Sequence, residues 1–381
     1  MADPSAGHPL LLDAIRGEVR CHGSISFARF MELALYHEPF GYYARGSEGL
    51  GRSGDYVTAS DVGRAFGETL ARQFAEIDDL LGRPDPFRLV EFGAGRGLLV
   101  RDLLDAIREG SPERLPRFRA TLLDRSASMR EEAARVVPEA EVLAPDVLVS
   151  GGAGCVVAVE LLDALPVHRV VRRGGALREI AVGAEGERLV TVLREPPAEV
   201  AAWASEYGAA PEDGDEAEVS LGLGPAVARL ASAVDRGVVI VVDYGDTAER
   251  LYGPGRRRGT LLAYHRHRTS EEVLSRVGEQ DLTAHVNFTA LSREARRAGM
   301  VELGTTTQDR FLVASGILDG LDDERQEGVA AVKRRLQAKQ LIHPDGMGRA
   351  FKFAIFAKGM EFAAPLAGLR DPFGGAGPRP V

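Results

Sequence analysis

The residues best suited to chemistry form a glycine-rich turn, LVEFGAGRG, at positions 89–97. An apolar run that favours a strand leads into this turn, and a helical pattern starts directly after it. Gly93, Gly95 and Gly97 permit positive φ angles and let the backbone approach a ligand closely. The dinucleotide fingerprint G-x-G-x-x-G would need glycine where Leu98 stands, and the G-K-[ST] of a P-loop is missing. The turn therefore disfavours both a nicotinamide cofactor and a P-loop nucleotide.

Two acidic residues accompany this turn. Glu91 lies in the apolar run before it, and Asp124 ends the next apolar run, at residues 119–124. This arrangement of acids around an E-x-G-x-G-x-G turn is typical of proteins that bind S-adenosyl-L-methionine. We expect Asp124 to accept hydrogen bonds from both ribose hydroxyls, and Glu91 to reach the amino-acid end of the cofactor directly or through water. A glycine-rich turn of no special function is the alternative that the pattern leaves open.

A second pair of acids, Glu160 and Asp163, follows a later apolar run. If a helix begins at Glu160, the i, i+3 spacing puts both carboxylates on one face. The alternative is that Glu160 is a solvated strand end and that Asp163 turns the chain before Pro166. His265 and His267 lie further along. Histidine is the natural general base near neutral pH, although a surface histidine without a catalytic role is the commoner case.

Short apolar runs are expected to form the strands that position these acids. Most of the runs end at an acidic residue, and helical patterns follow them. Strands rich in β-branched residues between helices indicate a buried parallel sheet, and the carboxyl edge of such a sheet is where ligands bind. The sequence therefore predicts an α/β fold with a mostly parallel sheet, whose strands are residues 87–92, 119–124, 141–144, 155–160 and 237–243.

The remaining segments complete the predicted organisation. Residues 10–36 favour two helices, and residues 61–81 favour one more. Glycine pairs divide residues 167–194 into alternating segments that predict hairpins beside the main sheet. A helix is expected at residues 322–341 and a strand at residues 351–358.

Composition excludes several classes of protein. The chain has 381 residues, of which 45% are hydrophobic and 27% are charged, as in an ordinary globular protein. A net charge of −9 disfavours a nucleic-acid binder, which usually carries a basic surface. Cys21 and Cys155 are the only cysteines, so we expect neither a disulfide framework nor a metal site.

The sequence also bears on the protein's location. No run approaches the roughly 18 apolar residues of a membrane span. The N-terminus resembles neither a secretory signal nor a transit peptide. We therefore expect a cytoplasmic protein without a membrane span. Arginine greatly outnumbers lysine, which favours a GC-rich bacterial genome as the source.

Seven further segments resemble, in order, the MidA-like family of methyltransferases, to which the mitochondrial arginine methyltransferases of complex I assembly belong. One such segment would be weak evidence, whereas all of them in order are specific. They span most of the chain and read FMELALYHEPFGYY (30–43), GDYVTAS (54–60), ELLDALPVHR (160–169), VVDYG (241–245), RRGTLLAYHRHR (257–268), DLTAHVNF (281–288) and HPDGMGRAFK (343–352).

The resemblance implies a class I, Rossmann-like methyltransferase fold, with S-adenosyl-L-methionine as the cofactor. It implies that Gly54, Asp55 and Tyr56 belong to a segment that folds over the cofactor, although Gly-Asp is also ordinary turn chemistry. The family's activity implies an arginine of a partner protein, such as a complex I subunit, as the methyl acceptor. Carboxylates hold the planar guanidinium and keep positive charge away from the attacking nitrogen. The expected catalytic residues are therefore Glu160 and Asp163.

Three residues depart from the family's usual sequence, and alternatives stay open. Ala94 stands where the family commonly has Pro. Val159 stands where the family commonly has Asn, and Asn287 stands where it often has Asp. One alternative is a methyltransferase that acts on a small molecule or on another side chain. The other is an assembly factor that binds the cofactor without turnover. A homodimer is compatible with either.

The expected domains follow from these segments. They are an N-terminal helical and cofactor-covering region (1–84), the first part of the cofactor-binding core (85–166), an inserted hairpin and helical substrate region (167–222), the second part of the core (223–363) and a disordered tail (364–381).

Overall fold

A computed structural model of the chain describes residues 7–44, 58–253, 256–319, 321 and 328–372. Its helices are α1 Pro9–His22, α2 Phe27–Tyr36, α3 Ala59–Val62, α4 Ala65–Leu80, α5 Leu98–Gly110, α6 Ala127–Val136, α7 Ala198–Glu206, α8 Leu223–Ser232, α9 Ala248–Leu251, α10 Phe288–Arg297, α11 Gln308–Ala314, α12 Val329–Ile342 and α13 Met347–Ala350.

The strands alternate with these helices over much of the chain. They are β1 Phe87–Phe92, β2 Phe118–Leu123, β3 Glu141–Leu143, β4 Ala153–Val159, β5 His168–Arg173, β6 Ala176–Glu185, β7 Arg188–Arg194, β8 Glu216–Val219, β9 Arg236–Asp246, β10 Leu262–His265, β11 Arg268–Ser270, β12 Asp281–Thr283, β13 Val286–Asn287, β14 Met300–Thr307 and β15 Phe351–Lys358.

The contacts divide the chain into two compact units. The first unit is built from residues 1–56, 162–226 and 246–291, and the second from residues 57–161, 227–245 and 292–381. Residues 246–291 were predicted to belong to the second part of the core, but they group with the first unit.

The second unit contains the main sheet, in the order β14-β15-β9-β4-β1-β2-β3. The strands from β9 to β3 are parallel, whereas β14 and β15 are antiparallel to their neighbours. This arrangement confirms the predicted α/β fold with a mostly parallel sheet. In the register, Phe92 lies opposite Leu123 on one side and Ala158 on the other. The ends of β1, β2 and β4 therefore lie level with one another at the carboxyl edge.

The core of the second unit forms because these strands are apolar on both faces. Leu89, Cys155 and Ile240 are fully buried, as expected for a sheet covered by helices on both sides. Aromatic rings add to this packing, with the centroids of Phe87 and Phe118 4.5 Å apart. The resulting frame is rigid enough to position the residues that follow its strands.

Two predicted segments of the second unit differ in the structure. The single helix expected at residues 61–81 is divided into α3 and α4, because Gly63, with φ of 141°, interrupts it. The helix expected at residues 322–341 is α12, and residues 322–327 lie outside the described part of the chain.

The predicted disordered tail is wrong for its first nine residues, 364–372, which the structure describes. Leu369 is buried, and the amide of Gly368 donates to Gln73 Oε1 at 2.9 Å. These residues are ordered because they cover apolar surface on helices α11 and α4. Residues 373–381 lie outside the described part of the chain.

The first unit contains two smaller antiparallel sheets, in the orders β7-β6-β5-β8 and β11-β10-β12. The three strands β5, β6 and β7 are joined by tight turns, which confirms the hairpins predicted within residues 167–194. Helices α1 and α2 contribute Leu11, Phe27 and Phe30 to the same apolar core as Val182 of β6. The inserted region is therefore a packed sheet rather than a loose loop.

Candidate cofactor site at the carboxyl edge of the sheet

The glycine-rich turn connects β1 directly to helix α5. Gly93 has φ of 71°, and a Cβ atom there would lie 2.9 Å from Leu161 Cδ1. Gly95 has φ of 51°, yet a Cβ atom there would meet no other heavy atom within 4 Å. The turn needs glycine at Gly93 for both conformation and space, whereas the space beside the Gly95 Cα is open. Open space beside a glycine lets a ligand approach the backbone closely.

Asp124 connects the end of β2 to this turn. Its Oδ2 accepts a hydrogen bond from the amide of Gly95 at 2.8 Å, and its Oδ1 accepts one from the amide of Ser126 at 2.8 Å. Burial raises the pKa of Asp124, and the two amide bonds offset part of that effect. Each carboxylate oxygen can accept a second hydrogen bond. Asp124 can therefore bind two hydroxyl groups without giving up its structural bonds.

Glu91 is the acid of the site that lacks, within the described part of the chain, a hydrogen-bond donor for one of its carboxylate oxygens. It lies in β1, is 4% exposed, and its Oε2 has no hydrogen-bond partner among the described residues. Burial raises the pKa of Glu91 well above its ordinary value, and the nearby charge of Asp124 raises it further. A buried acceptor without a donor costs free energy. A bound cation with N–H donors would remove that cost, so the residues fit an ammonium-bearing cofactor.

Glu160 stands immediately after β4 in a conformation that is unusual for its type. Its φ is 52°, its amide donates to the carbonyl of Val242 at 2.9 Å, and its Oε1 accepts from the amide of Ala59 at 3.1 Å. A residue other than glycine in this region costs about 1–3 kcal/mol, and such outliers cluster at functional sites. The strand end therefore holds the Glu160 carboxylate in a fixed place.

The helix expected to begin at Glu160 does not form, so the predicted i, i+3 relation to Asp163 is wrong. Residues 160–166 contain bends and a turn but no helix, and the two acids fall in different compact units. Asp163 is 4% exposed, and its backbone carbonyl accepts from the amide of Ala284 at 2.9 Å. Pro166 and the positive φ of Glu160 explain the turn, because both oppose a helix.

Helix α3 contacts the site through an ion pair that was not predicted from the sequence. Thr58 and Asp61 form a capping box at its start, with the Asp61 amide donating to Thr58 Oγ1 at 3.2 Å. Asp61 also pairs with Arg96 of the glycine turn. The T-x-x-D spacing could have revealed the capping box. The pair between Asp61 and Arg96 spans 35 residues, and no local pattern indicates it.

Three predicted cofactor residues, Gly54, Asp55 and Tyr56, lie outside the described part of the chain. The other predicted cofactor residues lie together at one edge of the main sheet. They are Glu91, Gly93, Gly95, Gly97 and Asp124.

Other residues of interest lie in the first unit. His265 ends β10, and its Nδ1 is 3.0 Å from the carbonyl oxygen of Glu279. His267 is exposed at the turn between β10 and β11. Asn287 donates from Nδ2 to the carbonyl of Tyr207 at 3.0 Å and accepts from the amide of Ala290 at 2.9 Å. Asn287 thus caps the start of α10, where an aspartate would lose the amide donor.

The described ranges hold no cluster of acidic, histidine or cysteine side chains that could bind a metal ion. They also hold no helix with the length and apolar character needed to cross a membrane.

Comparison with known proteins gives this geometry its chemical context. The profile of a family described as "Putative S-adenosyl-L-methionine-dependent methyltransferase" matches residues 69–306. A Drosophila melanogaster relative, "Protein arginine methyltransferase NDUFAF7 homolog, mitochondrial", is 26% identical over 93% of this chain and 86% of its own length. The Homo sapiens "Protein arginine methyltransferase NDUFAF7, mitochondrial" is 28% identical over 88% of this chain and 80% of its own length.

A solved structure matches the same fold. A crystal structure from Burkholderia thailandensis, bound to S-adenosyl-homocysteine, superposes with a TM-score of 0.84 and 30% identity. The match covers 97% of this chain and 95% of that chain.

Proposed function

Since the chain belongs to this family of S-adenosyl-L-methionine-dependent methyltransferases, we propose that its methyl acceptor is an arginine side chain of a partner protein. The enzyme class and the cofactor follow from the family and from the relative that binds S-adenosyl-homocysteine. The observation that supports arginine is that relatives named protein arginine methyltransferases align with 93% and 88% of the chain. The family resemblance favours a subunit of respiratory complex I as the partner.

The cofactor supplies a methyl group on a positively charged sulfur. Asp124 would accept hydrogen bonds from the ribose hydroxyls while keeping its bonds to Gly95 and Ser126. Glu91 would accept from the ammonium of the methionine portion, and this contact would favour the ionised form of its carboxyl group. Burial of Glu91 strengthens the contact, because water does not compete with it.

We propose that Glu160 binds the guanidinium of the acceptor, whereas a role for Asp163, which belongs to the first unit, stays a prediction. A guanidinium attacks weakly because its positive charge is delocalised, and carboxylates beside it can hold that charge away from the reacting nitrogen. Orientation is the larger requirement, since the released proton can leave after the transfer. The hydrogen bond from the Ala59 amide to Glu160 Oε1 supports this role, because it holds the carboxylate in one direction, and the strained backbone is typical of functional sites. Val159 offers no amide group for the same purpose.

The test is transfer of a radioactive methyl group from labelled S-adenosyl-L-methionine to proteins of an extract. Acid hydrolysis and chromatography should identify the label as methylarginine. A Glu160→Gln variant should lose the label while it still binds S-adenosylhomocysteine. Label found only in small molecules would favour the alternative acceptor. Cofactor binding without any transfer would favour an assembly factor.

A further inference from the structure

Helix α12 is apolar on two opposite faces. Its inner face carries Ala338 and Leu341, which are 1% and 0% exposed. Its outer face carries Val329, Val332 and Leu336, which are 87%, 52% and 61% exposed. Residues at i, i+3 and i+7 lie on one side of an α-helix. These three side chains therefore form one exposed apolar stripe, unlike the single hydrophobic residues that any surface carries.

Positive side chains border this stripe. Lys333 and Lys339 are exposed and lie on opposite sides of it, and Arg335 is exposed beside Lys339. Residues 328–343 contain no acidic side chain, although the whole chain has a net charge of −9. Lysine is rare in this sequence, and the helix contains two of the four lysines. The outer face is therefore a positive region on an acidic protein.

The inner face fixes the helix to the unit that holds the cofactor site. The Gln337 side chain lies so close to Gly63 that a Cβ atom there would be 2.0 Å from Gln337 Nε2. Arg334 forms an ion pair with Glu68 of α4 at 3.4 Å. Helix α12 also packs against α3 and α4. The outer face is thus presented on a supported helix, which lowers the entropy cost of binding a partner.

We propose that the outer face of α12 is a docking surface for an acidic amphipathic segment of another protein. An apolar centre bordered by charged side chains is the usual composition of a protein interface. The cations would pair with acidic residues of the segment, and the stripe would contact apolar residues that recur on one of its faces. This surface does not depend on the proposed arginine chemistry.

The size of the stripe favours a protein over a membrane. Seven residues of helix rise only about 10 Å, and the stripe contains aliphatic side chains alone. Helices that lie in a membrane surface usually present a longer apolar face with Trp, Phe or Leu. The described stripe has a single leucine, Leu336.

The experiment selects peptides from a displayed library of acidic, helix-forming sequences on the full-length protein. Selected peptides should bind the wild type and should bind Leu336→Asp at least about tenfold more weakly. A double variant that carries both Lys333→Glu and Lys339→Glu should weaken peptide binding by a similar factor. Val301→Asp is the matched control, because Val301 is also 61% exposed in the same unit. Equal unfolding temperatures would show that the variants are folded.

Several results would overturn the proposal. One is that no peptide is selected, or that the selected peptides bind Leu336→Asp as tightly as the wild type. Another is that the protein binds phosphatidylserine vesicles but no peptide, and that Leu336→Asp abolishes the vesicle binding. A third is a wild-type dimer that the same variant dissociates. The last is peptide binding only after the acids of residues 322–327 are neutralised, since the chain's own segment would then be the occupant.

Discussion

Asp124 Oδ2 lies 2.8 Å from the amide nitrogen of Gly95, so the end of β2 is joined to the turn that follows β1. The two strands are neighbours in the sheet, with Phe92 opposite Leu123. The elements proposed to hold the two ends of the cofactor are therefore joined to each other before the cofactor binds. This preorganisation lowers the cost of binding, and it makes cofactor affinity sensitive to the acids at this edge.

The first prediction concerns proton release from Glu91. Burial raises the pKa of Glu91, so the free protein carries a proton there at pH values where a carboxyl group is normally ionised. Binding of an ammonium group favours the ionised form, and the proton must leave. Titration calorimetry of S-adenosylhomocysteine in two buffers of different ionisation enthalpy should show this release. Affinity should rise with pH up to the raised pKa.

Glu91→Gln is the variant that isolates this effect. It should remove the buffer-dependent heat and weaken binding by about tenfold, because the ammonium loses a charged partner. Proton release that is the same in Glu91→Gln and in the wild type would assign it to another group, such as Asp124.

The second prediction compares two glycines of the turn. Gly93→Ala adds a Cβ atom 2.9 Å from Leu161 Cδ1, whereas Gly95→Ala adds one into open space. Both positions have positive φ, which costs an alanine about 1–2 kcal/mol. Gly93→Ala should therefore lower the free energy of unfolding by more than Gly95→Ala does. Urea denaturation measures the difference, and equal losses would show that Leu161 moves aside freely.

The third prediction separates strain from chemistry at Glu160. Glu160→Gly relieves the strained φ of 52° but removes the acceptor for the Ala59 amide. Relief of strain contributes about 1–3 kcal/mol and loss of the hydrogen bond costs about 1 kcal/mol, so the free energy of unfolding should stay the same or rise. Methyl transfer should nevertheless fall by about 100-fold or more, because the carboxylate is gone.

Glu160→Gln is the matched variant, since it keeps both the strain and an acceptor for Ala59. It should unfold like the wild type and still lose methyl transfer at saturating cofactor. Full activity in Glu160→Gln would exclude a role for the negative charge.

The fourth prediction concerns the pair between Asp61 and Arg96, whose side chains are 5% and 24% exposed. A double-mutant cycle with Asp61→Asn and Arg96→Gln should give a coupling energy of about 1 kcal/mol in stability. Each single variant should raise the KM for the cofactor more than it lowers kcat, because the pair holds the cofactor turn. A change in kcat alone would place the pair in the chemical step instead.

The sequence predicted those parts of the site that depend on local pattern. Strand β1, its glycines and Asp124 followed from apolar runs, positive-φ chemistry and the position of an acid at a strand end. The positive φ of Glu160 was not predictable, because tertiary contacts with Val242 and Ala59 impose it on a residue that avoids it. The pair between Asp61 and Arg96 was missed for the same reason.

Boundaries between elements were harder to predict than the elements. The periodic pattern of residues 61–81 continues through Gly63, and only the structure shows that the chain bends there. Residues 364–372 are rich in proline and glycine, yet Leu366 and Leu369 are buried. Composition indicates whether a segment would be ordered by itself. Whether the segment finds an apolar surface to pack against depends on the rest of the folded chain.

The most direct test of the account is calorimetric titration of the folded protein with S-adenosylhomocysteine, beside Asp124→Ala and Gly95→Arg. Asp146→Ala, which changes an exposed acid of the same unit, is the control. We expect micromolar binding in the wild type and the control, and a loss of at least about tenfold in Asp124→Ala and Gly95→Arg. No binding by the wild type, or equal binding by Asp124→Ala, would contradict the cofactor site described above.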